Sequence, residues 1–81
     1  MKTIIFTAAA ARQLDALPDD ARDQVLADLE RYAINGVGDV KRLQGRAGFR
    51  LRSGRYRVLF DEDQVTILAV YVGKRETTTY G

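Results

Sequence analysis

Between Lys41 and Arg57 the chain places seven basic residues, Lys41, Arg42, Arg46, Arg50, Arg52, Arg55 and Arg57, and no acidic one. Residues 13–30 are the counterpart, with six acids against Arg22 alone, a net charge of −5. The chain as a whole carries only +2, so its charge is segregated. Ten of the thirteen basic residues are arginine. Guanidinium is planar and permanently charged, and it grips phosphate or carboxylate through paired hydrogen bonds. One basic face and one acidic face are expected, the basic one suited to nucleic acid or to an acidic protein segment.

What is missing narrows the chemistry further. The 81 residues include no cysteine and no histidine. That excludes disulfides, thiolate zinc sites, thiol nucleophiles and the one side chain that titrates near neutrality unaided. No metal and no cofactor is expected. The glycines at 36, 38, 45 and 48 make no phosphate loop, because no Lys-Ser/Thr and no helix follow them. Asp61-Glu62-Asp63 could catch a cation, but a solvated turn is the simpler reading. The length allows one domain over residues 1–81, hiding about 60% of its unfolded surface and so only narrowly stable. No run approaches the roughly 20 apolar residues that span a bilayer. Met1–Phe6 is too short for a signal peptide. A cytoplasmic protein without membrane contact is the expectation.

The basic residues need elements to hold them. Lys2–Phe6 reads as a short strand, and Thr7 as the N-cap of a helix running to Leu17, closed by Pro18. Asp19 or Asp20 caps a second helix, with Ala21, Val25, Leu29, Tyr32 and Ala33 on its buried stripe and Asn35-Gly36 as its stop. The two form an antiparallel hairpin. Residues 37–48 read as a loop. Phe49–Arg52 and Tyr56–Phe60 alternate around Gly54, and Val65–Val72 is apolar at nearly every position, as in a central strand. The order is β-α-α-β-β-β, an α+β fold with the helical hairpin packed on a small, mainly antiparallel twisted sheet. Tyr32, Tyr56 and Tyr71 are read as core aromatics.

Alternation then assigns faces. Phe49, Leu51, Tyr56, Val58 and Phe60 point to the helices; Arg50, Arg52, Arg55, Arg57 and Leu59 point away. A turn pairing Phe60 with Val65 sets Arg57 opposite Leu68, with Val70 and Val72 continuing an open apolar floor. A bulge at Gly73 brings Arg75 onto the same face as Arg57. Such arginines can serve merely as solvated surface that discourages edge pairing. Four on one small face, with no paired acid, favour a binding role.

The elements Lys41-Arg42-Leu43-Gln44-Gly45, Phe49 to Phe60, and Val72-Gly73-Lys74-Arg75 with Tyr80 occur in an order and spacing that resembles the RelE/ParE toxin superfamily. The resemblance spans nearly the whole chain. It implies the toxin of a bacterial type II toxin–antitoxin pair, held inactive by a cognate antitoxin and touching operator DNA only through it. RelE-like members act as ribosome-dependent endoribonucleases on mRNA. ParE-like members poison DNA gyrase and need no nuclease residues. A non-catalytic corepressor bound to its antitoxin is a third possibility.

For the nuclease branch the resemblance implies phosphate stabilisation by Arg57, leaving-group protonation by Arg75, and base stacking or orientation by Tyr80. Tyr80 stands one residue nearer Arg75 than in the best-known pattern. Arg50 completes the catalytic set as a phosphate clamp. Lys41, Arg42, Arg46, Arg52, Arg55 and Lys74 are expected to contact RNA. RelE members carry lysines where this chain has Gly48 and Arg50, and an arginine is a poor base. Asp61–Asp63 lie in a distant turn, leaving Glu76 as the one acid near the site. The joint presence of Arg57, Arg75 and Tyr80 favours the ribosome over gyrase.

Overall fold

The structure, a computed structural model, describes residues 1–74. Strand β1 (Thr3–Phe6) leads into helices α1 (Ala8–Asp15) and α2 (Asp19–Asn35). Strands β2 (Val40–Arg42), β3 (Phe49–Ser53), β4 (Tyr56–Glu62) and β5 (Thr66–Lys74) follow. They form one sheet in the order β1-β5-β4-β3-β2, antiparallel except for the parallel β1–β5 pair. The α+β class, the hairpin and the mainly antiparallel sheet are as expected, with one strand more. Residues 40–42, expected in a loop, pair with β3 because Val40 fits the core row beside Leu51.

Local chemistry sets the helix bounds. Thr7 Oγ1 accepts the Ala10 amide at 3.1 Å and opens α1. The helix ends at Asp15, two residues short of Leu17, since the residue before Pro18 is driven from helical geometry. Pro18, not Asp19 or Asp20, occupies the N-cap of α2. The two acids fall in the first turn, where the positive end of the helix dipole favours them. Gly36, left-handed at φ 71°, stops the helix as expected.

The core lies between the hairpin and one face of the sheet. Ala10, Leu14, Val25, Leu29 and Ala33 meet Leu51, Val58, Phe60, Ile67, Ala69 and Val72 there. The Phe60 ring sits 5.6 Å from both Tyr32 and Phe49, so three aromatics brace the centre. Polar groups at the rim of this layer have partners. Glu62 accepts from Lys2 Nζ and from the Tyr32 hydroxyl, each at 2.7 Å. Ser53 donates to Asp28 at 2.6 Å. Beyond the end of β1, Gln13 of α1 accepts the Val72 amide at 2.8 Å.

The β4–β5 hairpin differs from the expected register. Asp61 and Glu62 belong to β4, opposite Leu68 and Ile67. The turn tightens because Asp63 Oδ1 accepts the amides of Val65 and Thr66 at 2.9 and 2.8 Å. Those two bonds also hold the Asp63 carboxyl below its ordinary range. A bulge then falls at Val70, since Phe60 pairs with Ala69 while Leu59 pairs with Tyr71. It lies upstream of Gly73, where it was expected. Val72 is thereby turned into the core, 2% exposed, and Tyr71 is turned out of it.

Candidate functional site

The face of the sheet away from the helices is laid out in rows by the strand register. One row runs Lys41, Arg50, Leu59, Tyr71 across β2 to β5. The next runs Arg52, Arg57, Gly73. Arg57 therefore faces Gly73, and not Leu68 as the expected turn required. Lys41, Arg42, Leu43, Gln44, Arg50 and Arg57 line a concavity of about 330 Å³ on this face. The Nε atoms of Arg50 and Arg57 are buried, with no hydrogen-bond partner among the described residues. A buried donor left unpaired costs free energy, and a charged one costs more. Both guanidinium groups belong to the lining of the one concavity.

The remaining candidates divide. Arg42 borders the same concavity while its guanidinium lies 5.7 Å from the centre of the Phe49 ring. Arg52 stands directly across from Arg57 but has a partner, Asp39 Oδ2, 3.6 Å from its Nε. The open face is thus not free of paired acids, contrary to expectation. Arg55 is at the β3–β4 turn rather than on the face, and Arg46 is exposed in the loop before β3. Lys74 is exposed opposite Tyr56, in a different row from Arg57. Arg75 and Tyr80 lie outside the described residues, as does Glu76.

Three residues had no visible place in the sequence. Lys41 reaches the concavity only because β2 exists, and three residues carry too little alternation to announce a strand. Alternation predicts Tyr71 in the core; the bulge puts it on the open face, because a nearly unbroken apolar run has no clear phase from which to read its faces. Asp61 was assigned to a turn and instead lies in β4, beside Gly48. Gly48 has φ +113°, and a Cβ there would meet the Phe60 carbonyl at 3.3 Å and Asp61 Oδ1 at 3.2 Å. A lysine at that position has neither the backbone conformation nor the space. The departure from the toxin pattern at residue 48 is therefore built into the backbone. Lys41, across from Arg50, is the lysine the concavity has instead.

No protein-family model matches the sequence, and no curated protein does either. Solved structures do. The chain is similar to one in the RelBE2 toxin–antitoxin complex of Mycobacterium tuberculosis, at 29% identity and a TM-score of 0.67, over 91% of this chain and 98% of that one. In the archaeal RelE–RelB complex of Pyrococcus horikoshii the match has 20% identity and a TM-score of 0.79, covering 95% and 98%. In the RelB–RelE complex of Methanococcus jannaschii it has 22% identity and a TM-score of 0.73, covering 88% and 89%. The likeness runs over nearly the full length of these chains, so this chain has the fold seen in the RelE toxins.

Proposed function

We propose that this chain is the toxin of a type II toxin–antitoxin pair and that it cuts messenger RNA on the ribosome. The observation that carries the chemistry is the concavity lined by Arg50, Arg57 and Lys41, the two arginines having buried Nε groups with no partner among the described residues. It suits a phosphodiester. The 2′-hydroxyl attacks the adjacent phosphorus and gives up its proton as the new P–O bond forms. The phosphorane carries added negative charge, which Arg50 and Arg57 stabilise. The P–O5′ bond then breaks, and the leaving oxygen takes a proton. A 2′,3′-cyclic phosphate and a 5′-hydroxyl result.

Proton transfer divides between two ends of the site. Guanidinium groups stay charged, so the 2′-hydroxyl proton passes to water, and Lys41 adds a further cation to the lining. Arg75 and Tyr80, by the family resemblance, serve the leaving group and the base. Arg42, Arg46, Arg52, Arg55 and Lys74 contribute charge toward RNA phosphates around this centre. A cognate antitoxin covers the face when the toxin is silent, in keeping with the complexes named above, and brings the pair to operator DNA. The protein acts in the cytoplasm.

The test is induced expression with protein synthesis and DNA supercoiling followed separately. An immediate stop in translation, with messages cut in the ribosomal A site, is the expected outcome. An intact message pool with collapsed supercoiling would transfer the chain to the gyrase-poisoning branch. Arg75→Ala should abolish cutting; if that variant stays as toxic as the parent, cleavage is not what kills.

A further inference from the structure

Among the described residues, Tyr71 is the one aromatic on the rows that hold the basic site. The bulge at Val70 turns it out of the core and into line with Lys41, Arg50 and Leu59. Its ring then leans along β5. A Cβ built on Gly73 would overlap the Tyr71 hydroxyl and two of its ring carbons, so the phenol occupies the space a side chain at residue 73 would take. Gly73 is the cross-strand partner of Arg57. The ring therefore rests on bare backbone in the row of Arg57 while it is anchored in the row of Arg50, and the residue is only partly buried. Tyr32, by contrast, spends its hydroxyl on Glu62 and its ring on Phe60. The core takes Val72 and leaves Tyr71 outside it, with its ring against Gly73.

We infer that Tyr71 is a stacking platform for a nucleobase flanking the phosphate held by Arg50 and Arg57, with Gly73 as the clearing that lets the ring lie down. Single-stranded RNA is commonly gripped in this way, charge on the phosphate and an aromatic face under the neighbouring base. The platform adds to the site a contact that reads the base plane and not the charge. It rests on the RNA-cleavage reading above.

The experiment uses the full chain, ribosomes programmed with a short message, and single-turnover cutting rates at subsaturating and saturating toxin. Tyr71→Ala should slow cutting about 10- to 100-fold, chiefly at subsaturating toxin. Tyr71→Phe, which keeps the ring and drops the hydroxyl, should restore most of that loss. A message abasic at one of the two nucleotides flanking the cut should slow the unmutated chain by a similar factor, whatever the fold of any variant. On that message Tyr71→Ala should cost nothing further. Equal rates on intact and abasic messages at both positions would overturn the platform while leaving cleavage standing. A parent chain that leaves the programmed message whole defeats the cleavage reading itself, and the platform with it.

Discussion

Strands β3 and β4 show two faces made from the same few residues, and the faces settle their polar groups in opposite ways. On the helix side Leu51, Val58 and Phe60 are at most 1% exposed, and the polar groups at the rim are matched: Glu62 with Lys2 and Tyr32, Ser53 with Asp28. On the other side, one residue along, Arg50 and Arg57 keep buried Nε donors with no partner among the described residues. Arg52 and Arg57 even stand directly opposite each other, a like-charge pairing that destabilises a sheet. The closed face is organised for folding. The open face carries unpaired donors and a like-charge pair, both of which cost stability.

Substitutions that treat the two faces alike should therefore have unlike outcomes. The largest effect belongs to the closed face. Leu51→Ala should cost about 2–5 kcal/mol, enough to unfold much of a domain this small, and urea titration followed by circular dichroism measures it. Next comes Arg57→Ala on the open face. Cutting in the programmed-ribosome assay should fall about 10²–10³-fold, while the melting temperature holds or rises as the Arg52–Arg57 repulsion is relieved. A melting temperature that drops with the rate would erase the distinction between the faces.

Tyr32→Phe sharpens the comparison at the rim. It should cost about 1–2 kcal/mol by removing one hydrogen bond to a carboxylate, with cutting by the folded fraction unchanged. Burial, then the bond to Glu62 and its charge, push the Tyr32 phenol from 10.0 up to about 12. Because the folded value is the higher one, its contribution is complete below pH 10 and is lost as pH rises toward 12. Stability measured over that interval should fall more steeply in the parent than in Tyr32→Phe. The smallest effect is expected from Arg52→Ala, within about 0.5 kcal/mol. It gives up a loose, partly exposed ion pair with Asp39 and loses a repulsion with Arg57 at the same time. A large loss of stability there would mean that Asp39 anchors the sheet edge.

The closed face was readable in the sequence because its signals are local and repeated. Thr7, Pro18 and Gly36 bound the helices through backbone geometry, and the alternation from Phe49 to Phe60 separates Leu51 and Val58 from Arg50 and Arg57. The parts of the site that could not be read depend on pairings between distant segments. Val40–Arg42 becomes a strand only because β3 has a free edge, and Lys41 joins the site only with it. The bulge at Val70 is decided by which residues of the apolar run Ile67–Val72 the core accepts, Ile67, Ala69 and Val72, and no local rule ranks them. The Asp63 turn moved Asp61 and Glu62 from loop to strand through two side-chain bonds. Asp39 found Arg52 across a gap of sequence that carries no pattern.

The parallel pairing of β1 with β5 bears on how the molecule is made. Thr3 pairs with Thr66, so the first strand emerging from a ribosome must wait for the last. At about 5–20 residues per second, the synthesis that separates them takes roughly 3–13 s. Through that interval α1 and α2 have no complete sheet to pack on, and Arg57 has no Gly73 row beside it. Contacts this far apart in sequence also close slowly once the chain is free. The layer beneath the helices is therefore completed only when the β5 end of the sheet has been made and has closed on β1.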